Sequence, residues 1–320
     1  MKAAVVHALE SPPRFTTFPD PVAAENEIIV TVRAAGLHQI VKSLARGTHY
    51  ASTGVLPLIP GVDGVGLLSD GSRVYFGASR PPYGTFAERC VTMRSMCLTL
   101  PEALDDVSVA ALMNPGMSSW AALTARAQMA PGENVLILGA TGVAGHLAVQ
   151  VAKRLGARRV VAAGRNPEAL EELKDLGADA VLSLDMDREA LASSLRQEWS
   201  KDKTDIVLDY LWGSPAERVL ETITQKGLQH TASRIRFVQV GSSAGATLSL
   251  AAATLRSSGL ELMGSGFGSV AMTNIFKSLA DFLGEAARER FQVKTRTAPL
   301  REVEALWNVA ESATRLVFQP

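Results

Sequence analysis

From Asn134 the chain reads Asn-Val-Leu-Ile-Leu-Gly-Ala-Thr-Gly-Val-Ala-Gly, ending at Gly145. An apolar run enters an Ala-x-Gly-x-x-Gly turn, and helix-forming residues follow at once. This is the spacing of a dinucleotide fingerprint, with alanine in the first glycine place. Ala140, Thr141, Gly142, Val143 and Ala144 are the expected contacts. Gly142 lets the backbone approach a pyrophosphate closely, and Gly145 lets the helix pack tightly on the sheet. The helix start offers unpaired N–H groups and a partial positive charge to that anion. Glycines alone also serve ordinary strand-to-helix turns. Here strand, turn, helix and second strand all sit where the mechanism needs them.

The end of the second strand selects the cofactor. An NAD site usually places Asp or Glu there, about twenty residues after the turn, to hold the ribose hydroxyls. This chain has Gly164-Arg165-Asn166 instead. No carboxylate stands there to repel a 2′-phosphate. Arg165 can fork two N–H bonds onto phosphate oxygens, and Asn166 can add a third. The plainer reading of Arg165 is a solvated loop arginine. The expected cofactor is NADP(H).

Around these residues the chain divides by pattern. Up to about residue 105 it reads as short strands with turns, such as Glu27–Arg33 and Thr85–Val91, punctuated by Gly61, Gly64, Gly66 and Gly71. That spacing suggests a small, curved β domain. From Asp105 helices appear, first Asp105–Met113 and then Ser118–Gln128. Strands at 134–138, 159–163, 180–182, 205–208, 235–240 and 260–263 then alternate with helices. Such alternation indicates βαβ units and a parallel sheet covered by helices, an α/β fold. The tail from Phe291 returns to strand-like and helical pieces that rejoin the first domain.

Composition narrows the function classes. The chain has 320 residues, which suggests two domains. Lys+Arg and Asp+Glu are 32 each, so no net field attracts a polyanion, and a dedicated nucleic-acid binder is disfavoured. Cys90 and Cys97 are the only cysteines, too few for a disulfide framework or a four-cysteine zinc lobe. A reduced, cytoplasmic setting is expected, with both thiols as packing residues. The apolar start Ala3–Leu9 contains His7 and has no small-residue cleavage site after it, so it reads as a first strand. The uncharged run Phe237–Leu255 is too polar for a membrane span.

Taken together, these motifs resemble the medium-chain dehydrogenase/reductase superfamily, and within it the zinc-independent quinone oxidoreductase-like branch. The resemblance runs through Glu27–Leu37, Pro60–Gly66, Gly139–Lys153, Leu176–Asp179, Val207–Asp209, Val240-Gly241 and Leu260–Gly264. It implies a GroES-like β-rich catalytic domain from both chain ends, 1–110 and 275–320. It implies a Rossmann doubly wound parallel-sheet domain over 111–274, and an active site in the cleft between them.

Zinc-dependent members carry Cys where this chain has His38, and His where it has Val62, which has no donor atom. A catalytic zinc needs three protein ligands and an open position. His38 and Asp63 could supply two, and no third convergent ligand is evident beyond the nearby His49. No metal is expected. Without a Lewis acid, conjugated acceptors are the natural substrates, because the negative charge that follows hydride addition spreads onto oxygen. The expected reaction is NADPH-dependent reduction of a quinone or α,β-unsaturated carbonyl. Two alternatives stay open: a nucleotide-binding protein with little catalysis, as in lens crystallins of this branch, and an enoyl-thioester reductase.

The resemblance puts His38 opposite the nicotinamide. It either donates to the acceptor oxygen or delivers a proton, or it merely contacts a ribose or backbone carbonyl. Tyr50 falls where related reductases place a substrate-side tyrosine, either polarising the substrate oxygen or covering the cleft. The loop from Gly47 to Pro57 looks longer than usual. His7, His146 and His230 read as structural or surface residues, and Asn114 and Trp120 either line the pocket near the hinge or pack. Gly241 and Ser242 follow the fifth strand and are expected at the nicotinamide half. The backbone of Gly264–Gly268, with Phe267, is implied at the carboxamide. Gly259–Gly264 resembles the edge strand through which this family dimerises. The partners expected are a small-molecule acceptor and a second copy, with no nucleic acid and no membrane.

Overall fold

The computed structural model describes residues 1–224, 233–310 and 313–320, so His230 lies outside the described residues. The chain forms two compact units, Met1–Pro115 with Leu279–Pro320, and Gly116–Ser278.

The first unit is built around Glu27–Gly36, a ten-residue strand whose inward positions Ile28, Val30, Val32 and Ala34 alternate, as period-two patterning requires. Its first half pairs antiparallel with Arg89–Met93. Its second half pairs with Asp63–Leu67, and the register shifts by a bulge between Val32 and Ala34. Asp63–Leu67 continues the sheet to Arg73–Gly77 and then to Cys97–Thr99. At the far end, Val317 and Phe318 of the C-terminal strand Thr314–Gln319 pair with Gly36 and Ala35. The tail therefore adds a strand to the sheet of the first unit. Phe86 meets Phe318 edge-on at 5.3 Å and Trp307 at 6.4 Å in the core, so the C-terminal tail is fastened by aromatic packing. Lys2–Val5 is a strand with Ala3, Ala4 and Val5 fully buried. The N-terminal apolar stretch is thus part of the fold.

In the second unit the described residues form a six-stranded parallel sheet. Its spatial order is Ala180–Ser183, Arg159–Gly164, Asn134–Leu138, Ile206–Asp209, Arg234–Gln239, Gly259–Gly264. Numbered by chain order, that is 3-2-1-4-5-6, the Rossmann arrangement. All of Asn134–Leu138 and Ile206–Asp209 is buried, as expected of central parallel strands covered on both faces. The order reverses between these two strands, and in open sheets of this kind ligands bind outside the carboxyl ends at such a reversal.

Two helical segments differ from the sequence expectation. Asp106–Ala121 is one helix that runs through Pro115, where the pattern suggests two, and Ala122–Arg126 continues it as a π-helical turn. Pro115 removes one N–H donor but does not end the helix. The Ala127 N–H then reaches the Ala122 carbonyl at 2.8 Å, which marks the wider turn. Met272–Arg288 forms a helix over a stretch to which the pattern assigns no element, burying Ile275, Phe282, Leu283 and Ala286 on one face. Among the described residues no helix is long and apolar enough to cross a membrane.

Candidate functional site

The fingerprint strand ends at Gly139, whose φ of 83° turns the chain sharply. The N–H groups of Gly139 and Ala140 both donate to the Ala163 carbonyl, at 3.0 and 2.9 Å, and so fasten the turn to the adjacent strand. Gly139 thus takes the turning role that the fingerprint spacing gives to the alanine position. A Cβ at Gly145 would lie 2.4 Å from the Ala140 Cα and the Gly139 carbonyl oxygen, so only glycine lets the helix pack here. A Cβ at Gly142 would meet only the Gly139 oxygen at 3.7 Å, which leaves that side of the turn open. Gly142 is the N-cap of Val143–Arg154; no side chain caps it and no acidic residue lies in the first turn. Among the described residues, the Thr141, Val143 and Ala144 N–H groups meet no acceptor. Unpaired donors at the positive end of a helix fit a pyrophosphate.

At the end of the second strand, Gly164 is buried against Thr141, whose Cγ2 would be 2.3 Å from any added Cβ. Arg165 is exposed, and no ion pair or hydrogen bond engages it among the described residues. Asn166 caps the helix Pro167–Asp175: its Oδ1 accepts the Ala169 N–H at 3.0 Å. Its oxygen is therefore committed, and only its NH2 group remains to donate to a ligand.

The fourth strand ends in a knuckle absent from the sequence expectations. Asp209 is fully buried, and its Oδ1 accepts the Leu211 and Trp212 N–H groups at 2.8 and 3.1 Å. Burial nevertheless pushes its carboxyl up to about 6 against the pull of those donors. Trp212 and Gly213 follow with φ of 55° and 56°, so two successive residues lie in the left-handed region. An Asp followed within four residues by Trp-Gly at the end of an apolar strand is the available signal. The Gly241–Gly245 loop folds onto this knuckle. The Gly241 N–H donates to the Asp209 carbonyl at 3.1 Å, the Ser243 hydroxyl to the Tyr210 carbonyl at 3.0 Å, and the Ala244 N–H to the Leu211 carbonyl at 2.8 Å. Ser242 is exposed beside it. After the edge strand, Phe267 is 40% exposed, and Arg126 Nε donates to the Gly264 carbonyl at 2.7 Å.

In the first unit, His38 is only 2% exposed. Its Nε2 lies 3.4 Å from Asp63 Oδ1, while Asp63 Oδ2 accepts the Tyr75 hydroxyl at 2.8 Å. The Thr85 hydroxyl donates to the Asp63 carbonyl at 2.9 Å. Arg315 Nη1 donates to the Leu37 carbonyl, placing a guanidinium beside the pair. Burial holds the His38 imidazole well below the usual histidine range, and the Arg315 charge adds to that. Burial pushes Asp63 up to about 7, against the pull of Tyr75 and Arg315. Tyr75 is driven well above its ordinary value by burial and by Asp63.

Zinc does not fit this donor set. Two donors are present where three are needed, Val62 offers none, and a buried cation stands beside them. Among the described residues no three His, Cys, Asp or Glu side chains converge. Tyr50 is 70% exposed and stacks on His49 at 4.2 Å. His49 Nδ1 accepts the Ala51 N–H at 3.1 Å, and partial burial lowers its imidazole. Cys90 is buried and pushed up to about 12 by that burial, so it stays a protonated thiol.

Comparison with known proteins agrees with this geometry. A family model described as zinc-binding dehydrogenase matches residues 143–285. The chain is 28% identical, over 100% of both chains, to a probable NADPH-dependent quinone reductase, tdiC, of Emericella nidulans. It is 27% identical to the chloroplastic NADPH-dependent alkenal/one oxidoreductase of Arabidopsis thaliana, over 59% of this chain and 51% of that one. Among solved structures, the quinone oxidoreductase of Thermus thermophilus, described also in complex with NADPH, is 28% identical with a TM-score of 0.81 over 100% of both chains. The two units carry a GroES-like β-rich fold and a Rossmann fold. The chain is similar to the medium-chain dehydrogenase/reductase family, and within it to the quinone-oxidoreductase-like branch.

Proposed function

We propose that this protein is an NADPH-dependent oxidoreductase that reduces a quinone or an α,β-unsaturated carbonyl without a catalytic metal. The observation that carries the cofactor reading is the turn after Leu138, where among the described residues the Thr141, Val143 and Ala144 N–H groups meet no acceptor and Gly142 leaves the turn open. The Thr141, Val143 and Ala144 N–H groups hold the pyrophosphate, and Ala140 shapes the turn beneath them. Gly164 lets Thr141 sit close to the second strand, the Arg165 fork takes the 2′-phosphate, and the Asn166 NH2 adds a donor. Gly241, Ser242 and Phe267 attend the nicotinamide half. The NADPH-dependent relatives, quinone and alkenal reductases by name, favour the same assignment. Bound NADPH supplies the hydride.

The first unit supplies polar groups for the acceptor. His38 is held neutral by burial, so it acts as a hydrogen-bonding imidazole rather than as a cation. The Tyr50 hydroxyl, exposed on its loop, polarises the acceptor oxygen. A conjugated acceptor needs no more, because the charge left by hydride addition is delocalised onto an oxygen that one or two donors can stabilise. The two-donor pair of His38 and Asp63, with Arg315 beside it, favours metal-free chemistry. Gly259–Gly264 is an edge strand with Leu262 38% exposed, which supports a homodimer joined there, and the free cysteines Cys90 and Cys97 suit a reducing cytoplasm.

The test is oxidation of NADPH, with NADH in parallel, against a panel of aromatic quinones and 2-alkenals. Turnover with either class and a clear preference for NADPH are the expected results. Tight NADPH binding with no turnover on any acceptor would overturn the enzymatic reading. Equal use of NADH would overturn the role of Arg165.

A further inference from the structure

His146 lies in the helix that follows the fingerprint turn and is 7% exposed. Its Nδ1 lies 2.9 Å from the Ala140 carbonyl oxygen and 3.1 Å from the Gly142 carbonyl oxygen. Both partners are pure acceptors, so Nδ1 carries the hydrogen and the imidazole donates to both. The Gly142 carbonyl also accepts the His146 backbone N–H at 2.9 Å, using its second lone pair.

A trans peptide is planar, and its C=O and N–H point in opposite directions. Holding the Ala140 carbonyl toward His146 therefore turns the Thr141 N–H away from it. Holding the Gly142 carbonyl does the same for the Val143 N–H. Both belong to the donors that meet no acceptor among the described residues. Ala140 is fully buried, so its carbonyl needs a protein donor. An apolar side chain at 146 would free the Ala140–Thr141 peptide to rotate and leave the Gly142 carbonyl held by the backbone N–H alone.

We propose that His146 is a positioning residue for NADPH: its Nδ1–H clamps two carbonyls of the fingerprint turn and thereby aims the Thr141 and Val143 N–H groups at the pyrophosphate. The inference rests on reading that turn as the pyrophosphate cradle. It goes beyond the fingerprint itself, because the glycines shape the turn whereas His146 orients its peptides.

The test compares NADPH binding, followed by nucleotide fluorescence, in wild type, H146L and H146N, with thermal unfolding as a check on folding. Adenosine 2′-monophosphate, which lacks the pyrophosphate, is the second ligand. H146L should weaken NADPH about tenfold, leave adenosine 2′-monophosphate within about twofold, and keep kcat at saturating NADPH within about twofold. H146N, whose amide can donate from nearly the same place, should recover NADPH binding to within about threefold.

Wild-type binding of NADPH with H146L unchanged, or with both ligands lost equally, overturns this inference alone. A wild type that binds no NADPH overturns the cofactor reading and this inference with it. Should H146L not fold, the tautomer decides: 15N-histidine spectra of the wild type must show the His146 hydrogen on Nδ1. A hydrogen on Nε2 instead overturns the clamp.

Discussion

The fingerprint turn and the buried cluster around His38 are built by different means. The turn is made of backbone: N–H groups aimed by Gly139, Gly145 and the start of a helix. Its charge is partial, fixed and independent of pH. The cluster is made of side chains: His38, Asp63, Tyr75 and Arg315 come from four separate stretches of chain and are buried together. Its charge depends on where the protons sit. The first region suits an anion that must be held through every turnover. The second suits a group whose hydrogen bonding must be set by its neighbours.

The largest expected effect falls on the backbone region. Gly145→Val forces a side chain against the Ala140 Cα and the Gly139 oxygen, neither of which can move away. It should destabilise the second unit by about 3 kcal/mol and abolish NADPH binding, as read by thermal unfolding and nucleotide fluorescence. A stable variant that still binds NADPH would remove the packing argument.

The side-chain region should respond to pH. Asp63 has its folded pKa raised to about 7 from an ordinary 3.8. An acid that binds its proton more tightly when folded stabilises the fold at low pH and loses that contribution as pH rises through the folded value. Asp63→Asn removes the titration. Urea unfolding should show the variant gaining on wild type by about 2 kcal/mol between about pH 5 and about pH 8. A difference that does not change with pH would show that Asp63 ionises normally.

Arg165→Gln separates charge from backbone within the cofactor site. It should weaken NADPH by about 2 kcal/mol, roughly thirtyfold, and change NADH by less than about twofold. Equal effects on both nucleotides would assign Arg165 to general electrostatics. The smallest effect belongs to Tyr50, which is exposed and stacks on His49. Tyr50→Phe should lower kcat/KM by about 1 kcal/mol and leave NADPH binding unchanged. No change in kcat/KM would leave Tyr50 as a cover for the site.

The same contrast explains what is legible in the sequence. The strands from Asn134 to Met263 declare themselves because central parallel strands are continuous apolar runs, and the turn declares itself because its geometry demands glycine at fixed spacing. Gly139 escapes the pattern because the fingerprint counts from the next residue, although its positive φ makes the turn. His146 reads as an ordinary histidine, since its role is a contact with two carbonyls and no spacing rule encodes that. The pairing of Asp63 with Tyr75 across adjacent antiparallel strands also has no local signature. Pro115 suggests a break between helices, but a proline lacking one N–H can be carried inside a helix whose other bonds are kept.

Hydride transfer without a metal is the central claim. The direct measurement is the metal content of EDTA-dialysed protein, followed by its rate of NADPH oxidation with the best acceptor of the panel. Less than about 0.1 metal ion per chain and an unchanged rate are expected, because His38 and Asp63 provide two donors where a catalytic zinc needs three. A rate lost on dialysis and restored by stoichiometric zinc would contradict it.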